Sequence, residues 1–294
     1  MSSGSAAEAP WGVDSEYGRL RDVVLCPPVH YRWRATSAIS QQTLESGRRF
    51  DAELAGAQHA ELVACYEQAD VICHFLEPDE ALPYQVFARD SSAGCERGSI
   101  VLQPHQWWRR GEYAAVIRFL QERAIPIRAM VTAAAVEGGD VMIIEPGCVL
   151  IGFGEERTQE AGARQLARFY EEDGWEARVQ PFSSRYVHID VLVAVLAEKL
   201  AAVCEEAVPA GLLKWLRSKN FELLTVPEEQ AFLLGANAMS LGAGRVLSGS
   251  GATTLNAGMR AHGLEVLEPD LSMFTLGGGG AHCLGQALRR DRVG

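Results

Sequence analysis

Asp140-Val141-Met142-Ile143-Ile144-Glu145-Pro146-Gly147-Cys148-Val149-Leu150-Ile151 decides the fold. Two apolar runs flank a Pro-Gly pair, and that arrangement reads as a β-hairpin. Residues 158–172 then read as a helix and 175–179 as a strand. The same order of hairpin, helix and strand recurs on both sides. Upstream, 99–102 is a strand, 112–123 a helix and 125–130 a strand. Before that, 20–26 is a strand stopped by Pro27-Pro28, 43–68 a helix and 71–76 a strand. Downstream, 191–203 is an apolar run, 209–218 a helix and 221–226 a strand. Strands at 238–241 and 245–247, a helix at 253–262 and a strand at 264–267 complete the series. The segment 271–276 reads as one more strand, followed by a glycine collar and an apolar stretch at 284–288. Asp90, Glu137, His188, Asn237 and Cys283 open the later passes at intervals of roughly 50 residues, a period of supersecondary arrays. The competing reading is an ordinary α/β sheet with alternating elements. In a ring, equivalent ends of the five passes converge on one centre, and these five residues meet there.

The bulk properties narrow the chemistry. At 294 residues and 48% hydrophobic, the chain can bury a sizeable core. A net charge of −11 argues against nucleic acid, which needs a basic face, and favours the approach of a small cation. The seven cysteines are odd in number and lack paired Cys-x-x-Cys spacing. Neither a disulfide framework nor a zinc site is suggested, and a reducing cytoplasm is the expected location. No apolar run approaches the ~20 residues of a membrane span. Residues 1–12 are expected to be a loose tail and 13–294 a single domain, since no linker or low-complexity segment interrupts the repeats.

Candidate chemistry sits at the markers. Phe87-Ala88-Arg89-Asp90 offers a carboxylate, and Glu137-Gly138-Gly139-Asp140 offers two on a glycine turn. His188-Ile189-Asp190 offers an imidazole and a carboxylate, on one side if the backbone is extended. Gly277-Gly278-Gly279-Gly280-Ala281-His282-Cys283 offers a thiol on a collar that can turn tightly and approach other backbone. Carboxylates around a pocket suit a planar cation held by paired, charge-assisted hydrogen bonds, and guanidinium fits best. A thiolate can attack its central carbon once the charge is neutralised, and a nearby histidine can protonate the leaving amine. Each residue also has a structural reading. Asp90 and Asp140 suit turns, Glu137 a surface turn, and His188 a hydrogen-bonded core position. His282 competes as the base but ranks below His188, because adjacent residues tend to point apart. Cys26, Cys65, Cys73, Cys95, Cys148 and Cys204 read as structural.

On Arg89-Asp90, Glu137-Gly138-Gly139-Asp140, His188-Ile189-Asp190 and the collar with His282-Cys283, the chain resembles the guanidino-modifying enzymes of the pentein superfamily. These are the arginine and agmatine deiminases, dimethylarginine dimethylaminohydrolase and the arginine amidinotransferases. The resemblance runs from Gly18 to Cys283. It implies an α/β fold, a five-bladed pseudo-fivefold ββαβ propeller (the pentein fold). It implies Cys283 as the nucleophile, forming an amidino-cysteine intermediate, and His188 as general acid, then base. Glu137 orients His188 or holds the guanidinium, Asp90 and Asp190 grip the guanidinium nitrogens, and Arg157 meets the substrate carboxylate. No cofactor and no metal are implied. The expected partner is a small guanidino substrate, without nucleic acid or membrane, and the expected assembly a homodimer. The chain departs from the family at Ser91-Ser92-Ala93-Gly94-Cys95 and at Gly285-Gln286, where small hydroxyl residues are usual. Asp190 favours an unsubstituted guanidinium, whereas the short chain favours the compact dimethylarginine-type hydrolases. A cysteine hydrolase of arginine or a derivative is the leading expectation. An amidinotransferase is the alternative, and a non-catalytic pentein-fold binding protein the alternative of another class.

Overall fold

The computed structural model describes residues 11–293. The first ten residues of the expected tail lie outside the described residues. Gly12 bridges to Arg289, and its N–H donates to the Leu288 carbonyl at 3.1 Å.

The hairpin that opens the reading forms as Val141–Glu145 against Cys148–Phe153, with Val141 opposite Ile151 and Met142 opposite Leu150. It turns at Gly147, whose φ of +74° is left-handed and costs least without a Cβ. Cys148–Phe153 then pairs in parallel with Glu176–Pro181 after a helical crossover, Glu160–Glu172. That helix buries Ala163, Leu166, Ala167 and Tyr170. Their spacing of i, i+3, i+4 and i+7 makes one apolar face, which packs on the sheet. Val149, Leu150 and Ile151 are all buried, so this strand is covered on both faces, as its unbroken apolar run implies.

Five such three-stranded sheets exist among the described residues. Each consists of an antiparallel pair, a hairpin in four of the five, extended by a parallel strand. The second sheet has Ser92–Cys95, Gly98–Val101 and Ile127–Met130. The fourth has Val193–Ala197, Leu200–Val203 and Glu222–Thr225, and the fifth Met239–Gly242, Arg245–Leu247 and Glu265–Leu267. The first sheet draws on both chain ends: Gln286–Arg290 pairs antiparallel with Leu20–Leu25, which pairs in parallel with Ile72–Phe75. The architecture is the five-bladed α/β propeller of the pentein fold.

Two readings change. The helix expected over 43–68 is two helices, Ala38–Glu45 and Ala52–Gln68. Ser37 caps the first in a reciprocal capping box with Ser40. The Asp51 side chain caps the second by accepting the Leu54 N–H at 3.0 Å. The strand expected over 271–276 is a short helix, Ser272–Thr275. The Leu271 carbonyl accepts the N–H groups of Phe274 and Thr275, and Gln58 Oε1 accepts that of Met273. The first blade takes its third strand from Gln286–Arg290 instead, so 271–276 has no edge to pair with. No helix among the described residues is long and apolar enough to cross a membrane.

Candidate active site

The innermost strand of each blade is preceded by a short turn, and the five marker residues sit in those turns. Asp90 lies in the 3-10 turn Ala88–Ser91, and Glu137 precedes the turn Gly138–Asp140. His188 precedes the turn Ile189–Val191, Asn237 lies two residues before Met239, and Cys283 lies in the helical turn Ala281–Leu284. All five are buried. Asp90, His188 and Cys283 line one cavity, together with Arg109, Arg157, Tyr84 and Phe87. The cavity is narrow and adjoins a larger open basin, with which it shares Thr36 and Ser37.

Glu137 is fully buried beneath this cavity. Its Oε2 lies 2.8 Å from His188 Nε2 and 3.4 Å from an Arg157 nitrogen, and its Oε1 accepts the His105 N–H at 3.0 Å. Burial alone would raise the Glu137 carboxyl. The Arg157 guanidinium, with His188 and Arg109, outweighs it and holds the group below the usual carboxylate range. His188 Nδ1 is buried with no hydrogen-bond partner, 3.9 Å from Asp90 Oδ1. Burial would push this imidazole down, but Asp90 and Asp140 hold it well above the ordinary histidine range. Gly139 makes the packing feasible, because a Cβ there would collide with the His188 ring. Asp140, one of the two carboxylates of the glycine turn, accepts the Ile189 N–H at 2.8 Å and supports the backbone that carries His188. Burial pushes its carboxyl up to about 7.

Cys283 is set by the collar. Asn237 Oδ1 accepts the His282 N–H at 3.0 Å and lies 3.6 Å from Cys283 Sγ, and its Nδ2 donates to the Asp190 carbonyl at 3.3 Å. A Cβ at Gly280 would come within 2.6 Å of Asn237 Oδ1, so the collar seats on Asn237 only as glycine. Asp190 Oδ2 is 3.9 Å from the sulfur. Burial and then Asp190 push the Cys283 thiol up to about 11, and His188 acts in the opposite direction. The resting site therefore holds a thiol, and ionisation awaits a further positive charge.

The extended geometry assumed for His188-Ile189-Asp190 holds only at His188, with φ −146° and ψ 167°. The following 3-10 turn carries Asp190 under the collar, where Oδ2 lies 2.8 Å from His282 Nδ1. His282 therefore does not simply point away from the site; it is bound to one of its carboxylates. Arg157, besides meeting Glu137, donates to the Thr36 carbonyl.

Arg109 and Glu112 were not singled out in the sequence. Arg109 is among the largest fully buried side chains, bonded to Asp90 Oδ2 at 2.8 Å and to both oxygens of Glu112 at 2.8 Å. The i, i+3 spacing of an arginine and a glutamate at a helix start was the available signal, but it matches countless surface pairs. Glu16 carries no local signal, because its partners Arg89, His282 and Arg290 lie far along the chain. Donor atoms of Asp90, Glu137 and His188 lie within 4.8 Å of one another, a spacing that could accept a cation. The Arg109 and Arg157 guanidinium groups already lie against two of these carboxylates, so a planar guanidinium matches the cluster's chemistry.

The chain is similar to several known proteins. The family model described as N,N dimethylarginine dimethylhydrolase, eukaryotic, matches residues 31–290. An uncharacterized protein of Bacillus subtilis, YkgA, is 28% identical over 278 residues, covering 94% of each chain. The arginine deiminase of Mycobacterium marinum is 28% identical over 301 residues, covering 90% of this chain and 71% of that protein. A dimethylarginine dimethylaminohydrolase structure from Pseudomonas aeruginosa, a cysteine-to-serine mutant complexed with citrulline, superposes with a TM-score of 0.78. It is 23% identical and covers 91% of this chain and 99% of that one, a likeness of fold.

Proposed function

This chain belongs to the N,N dimethylarginine dimethylhydrolase family of the pentein guanidino-modifying enzymes, and from that premise we propose that it hydrolyses arginine or a close derivative through an amidino-cysteine intermediate. The observation that carries the proposal is the convergence of Cys283, His188 and Asp90, from three separate repeats, on one cavity.

The guanidinium carbon is a weak electrophile because its charge is delocalised. Asp90 and Asp190 hold its N–H groups and neutralise that charge. Asp90 Oδ2 is shared with Arg109, so the substrate engages Oδ1, which faces the Gly139 N–H at 3.3 Å and His188. The incoming cation beside the sulfur lowers the thiol's pKa, the thiol proton is released to bulk water, and the substrate thereby ionises its own nucleophile. Sγ forms a bond to the guanidinium carbon. His188, held by Glu137, gives its proton to the departing nitrogen. The C–N bond breaks, and ammonia or an alkylamine leaves. Water then enters and His188 takes one of its protons. The new C–O bond forms and the S–C bond breaks, returning the thiolate and releasing a ureido product. Arg157, at the cavity wall, is the group for the substrate carboxylate, with Arg109 beside it.

The test incubates the protein with arginine, methylated arginines and agmatine and measures ammonia, alkylamine, citrulline and ornithine. Citrulline with ammonia or alkylamine is the expected outcome. Ornithine appearing only when an amine acceptor is added would make the enzyme an amidinotransferase. Failure of a chloroacetamidine to label Cys283 would favour a binding protein.

A further inference from the structure

His282 is not needed by the proposed reaction, yet it is 3% exposed and held on both sides. Its Nδ1 meets Asp190 Oδ2 at 2.8 Å, and its Nε2 faces Glu16 Oε2 at 3.6 Å. Glu16 is itself fixed. Its Oε1 accepts from Arg89 at 3.1 Å and from the Ile143 N–H at 3.4 Å. Arg89 in turn donates to the carbonyls of Gly138 and Val141, which bracket the turn after Glu137. The Arg290 guanidinium lies 4.0 Å from Glu16 Oε2. Asp190 Oδ1, by contrast, is buried with no partner at all. A buried carboxylate oxygen without a donor is costly, so this one is left for something that binds beside the sulfur.

We infer that His282 is a positioning residue: by taking Asp190 Oδ2, with Glu16 holding its ring from behind, it fixes the carboxylate beside Cys283 and leaves Oδ1 for a guanidinium N–H of the substrate. The inference rests on the guanidino-hydrolase reading. It differs from the expectation of His282 as a rival base, because both ring nitrogens face carboxylates and the ring does not line the cavity.

The test measures L-arginine binding by calorimetry in the Cys283→Ser background, together with KM and kcat in the otherwise intact enzyme. Asparagine places an amide N–H about where Nδ1 stands, whereas glutamine moves it away. His282→Gln is expected to weaken arginine binding about tenfold, the range for a hydrogen bond to a charged group, and to raise KM more than it lowers kcat. His282→Asn is expected to recover binding to within about threefold. With Asp190→Asn already in place, His282→Gln is expected to cost no more than about twofold further, because the two act as one unit. Unchanged affinity in His282→Gln, equal losses in the Gln and Asn variants, or fully additive losses with Asp190→Asn would overturn the role. Should His282→Gln fail to fold, Glu16→Gln loosens the ring without touching Asp190 and is expected to weaken binding about threefold; unaltered binding there counts against the inference. A wild-type protein that releases neither ammonia from arginine nor alkylamine from methylated arginines, while Cys283→Ser binds arginine, would defeat the hydrolase reading and leave the positioning role intact.

Discussion

Two imidazole–carboxylate pairs flank the same sulfur, and they differ in one respect. His188 is bound to Glu137 through Nε2 and keeps Nδ1 free in the cavity. His282 is bound to Asp190 through Nδ1, faces Glu16 through Nε2 and does not line that cavity. An imidazole with a free nitrogen can move a proton. One with both nitrogens committed can only hold its partners in place. In the proposed reaction the same residue type, one of them adjacent to Cys283 in sequence, thus divides into an acting and a holding group according to what surrounds its second nitrogen.

Substitutions separate the two. Cys283→Ser removes the group both pairs serve and is expected to lower kcat by at least about 10⁴-fold while arginine still binds, as single-turnover assays and calorimetry would show. His188→Gln is expected to lower kcat about 10²–10⁴-fold, the scale of general acid–base catalysis, with KM much less affected. A loss confined to KM would erase the contrast with His282. Glu137→Gln frees the His188 ring and is expected to lower kcat about 10–10²-fold in the same steady-state assay.

The pH dependence sharpens the comparison further. The thiol is pushed up to about 11, so Cys283 alkylation by a neutral reagent is expected to climb with pH throughout the range 7–10. A bound guanidinium that leaves the sulfur accessible is expected to move the curve to lower pH. A flat profile would mean that the thiolate already exists at rest. The smallest effect concerns Asp140, whose carboxyl lies near 7 in the fold against 3.8 as the ordinary value. Below the ordinary value it is neutral in both states. As the pH rises toward 7 the unfolded chain ionises while the folded chain keeps the proton, so stability falls across that window and levels off above it. Asp140→Asn is expected to remove this slope, read from denaturation midpoints at several pH values.

Much of the fold was legible because the repeat is written in local terms. A helix with one apolar face and short apolar runs recur through the five passes, one of them turned by Pro146-Gly147, and each element forms from neighbours in sequence. The misread segment, 271–276, has an apolar pattern that suits strand or helix equally. Its state was decided by Gln58, by Trp33 bonding to the Met273 carbonyl, and by the strand Gln286–Arg290, which occupies the place in the first blade. Cysteine pKa would not have singled out the nucleophile either. Cys95 and Cys148 are also pushed up to about 11 by burial, like Cys283; what sets Cys283 apart from these two is the cavity it lines with His188 and Asp90.

From the chain alone came the five passes and the set of residues that open the later ones, because spacing and residue type are properties of sequence; the ring competed with an open α/β sheet until the family resemblance favoured it. Tertiary structure assigned the partners. It put Glu137 behind His188, Arg109 on Asp90 and His282 between Asp190 and Glu16. Those contacts join residues many positions apart whose side-chain directions depend on the 3-10 turns and the collar. Hydrogen bonds act only within about 3 Å and a narrow range of angles, so which carboxylate faces which nitrogen is fixed only when the blades close.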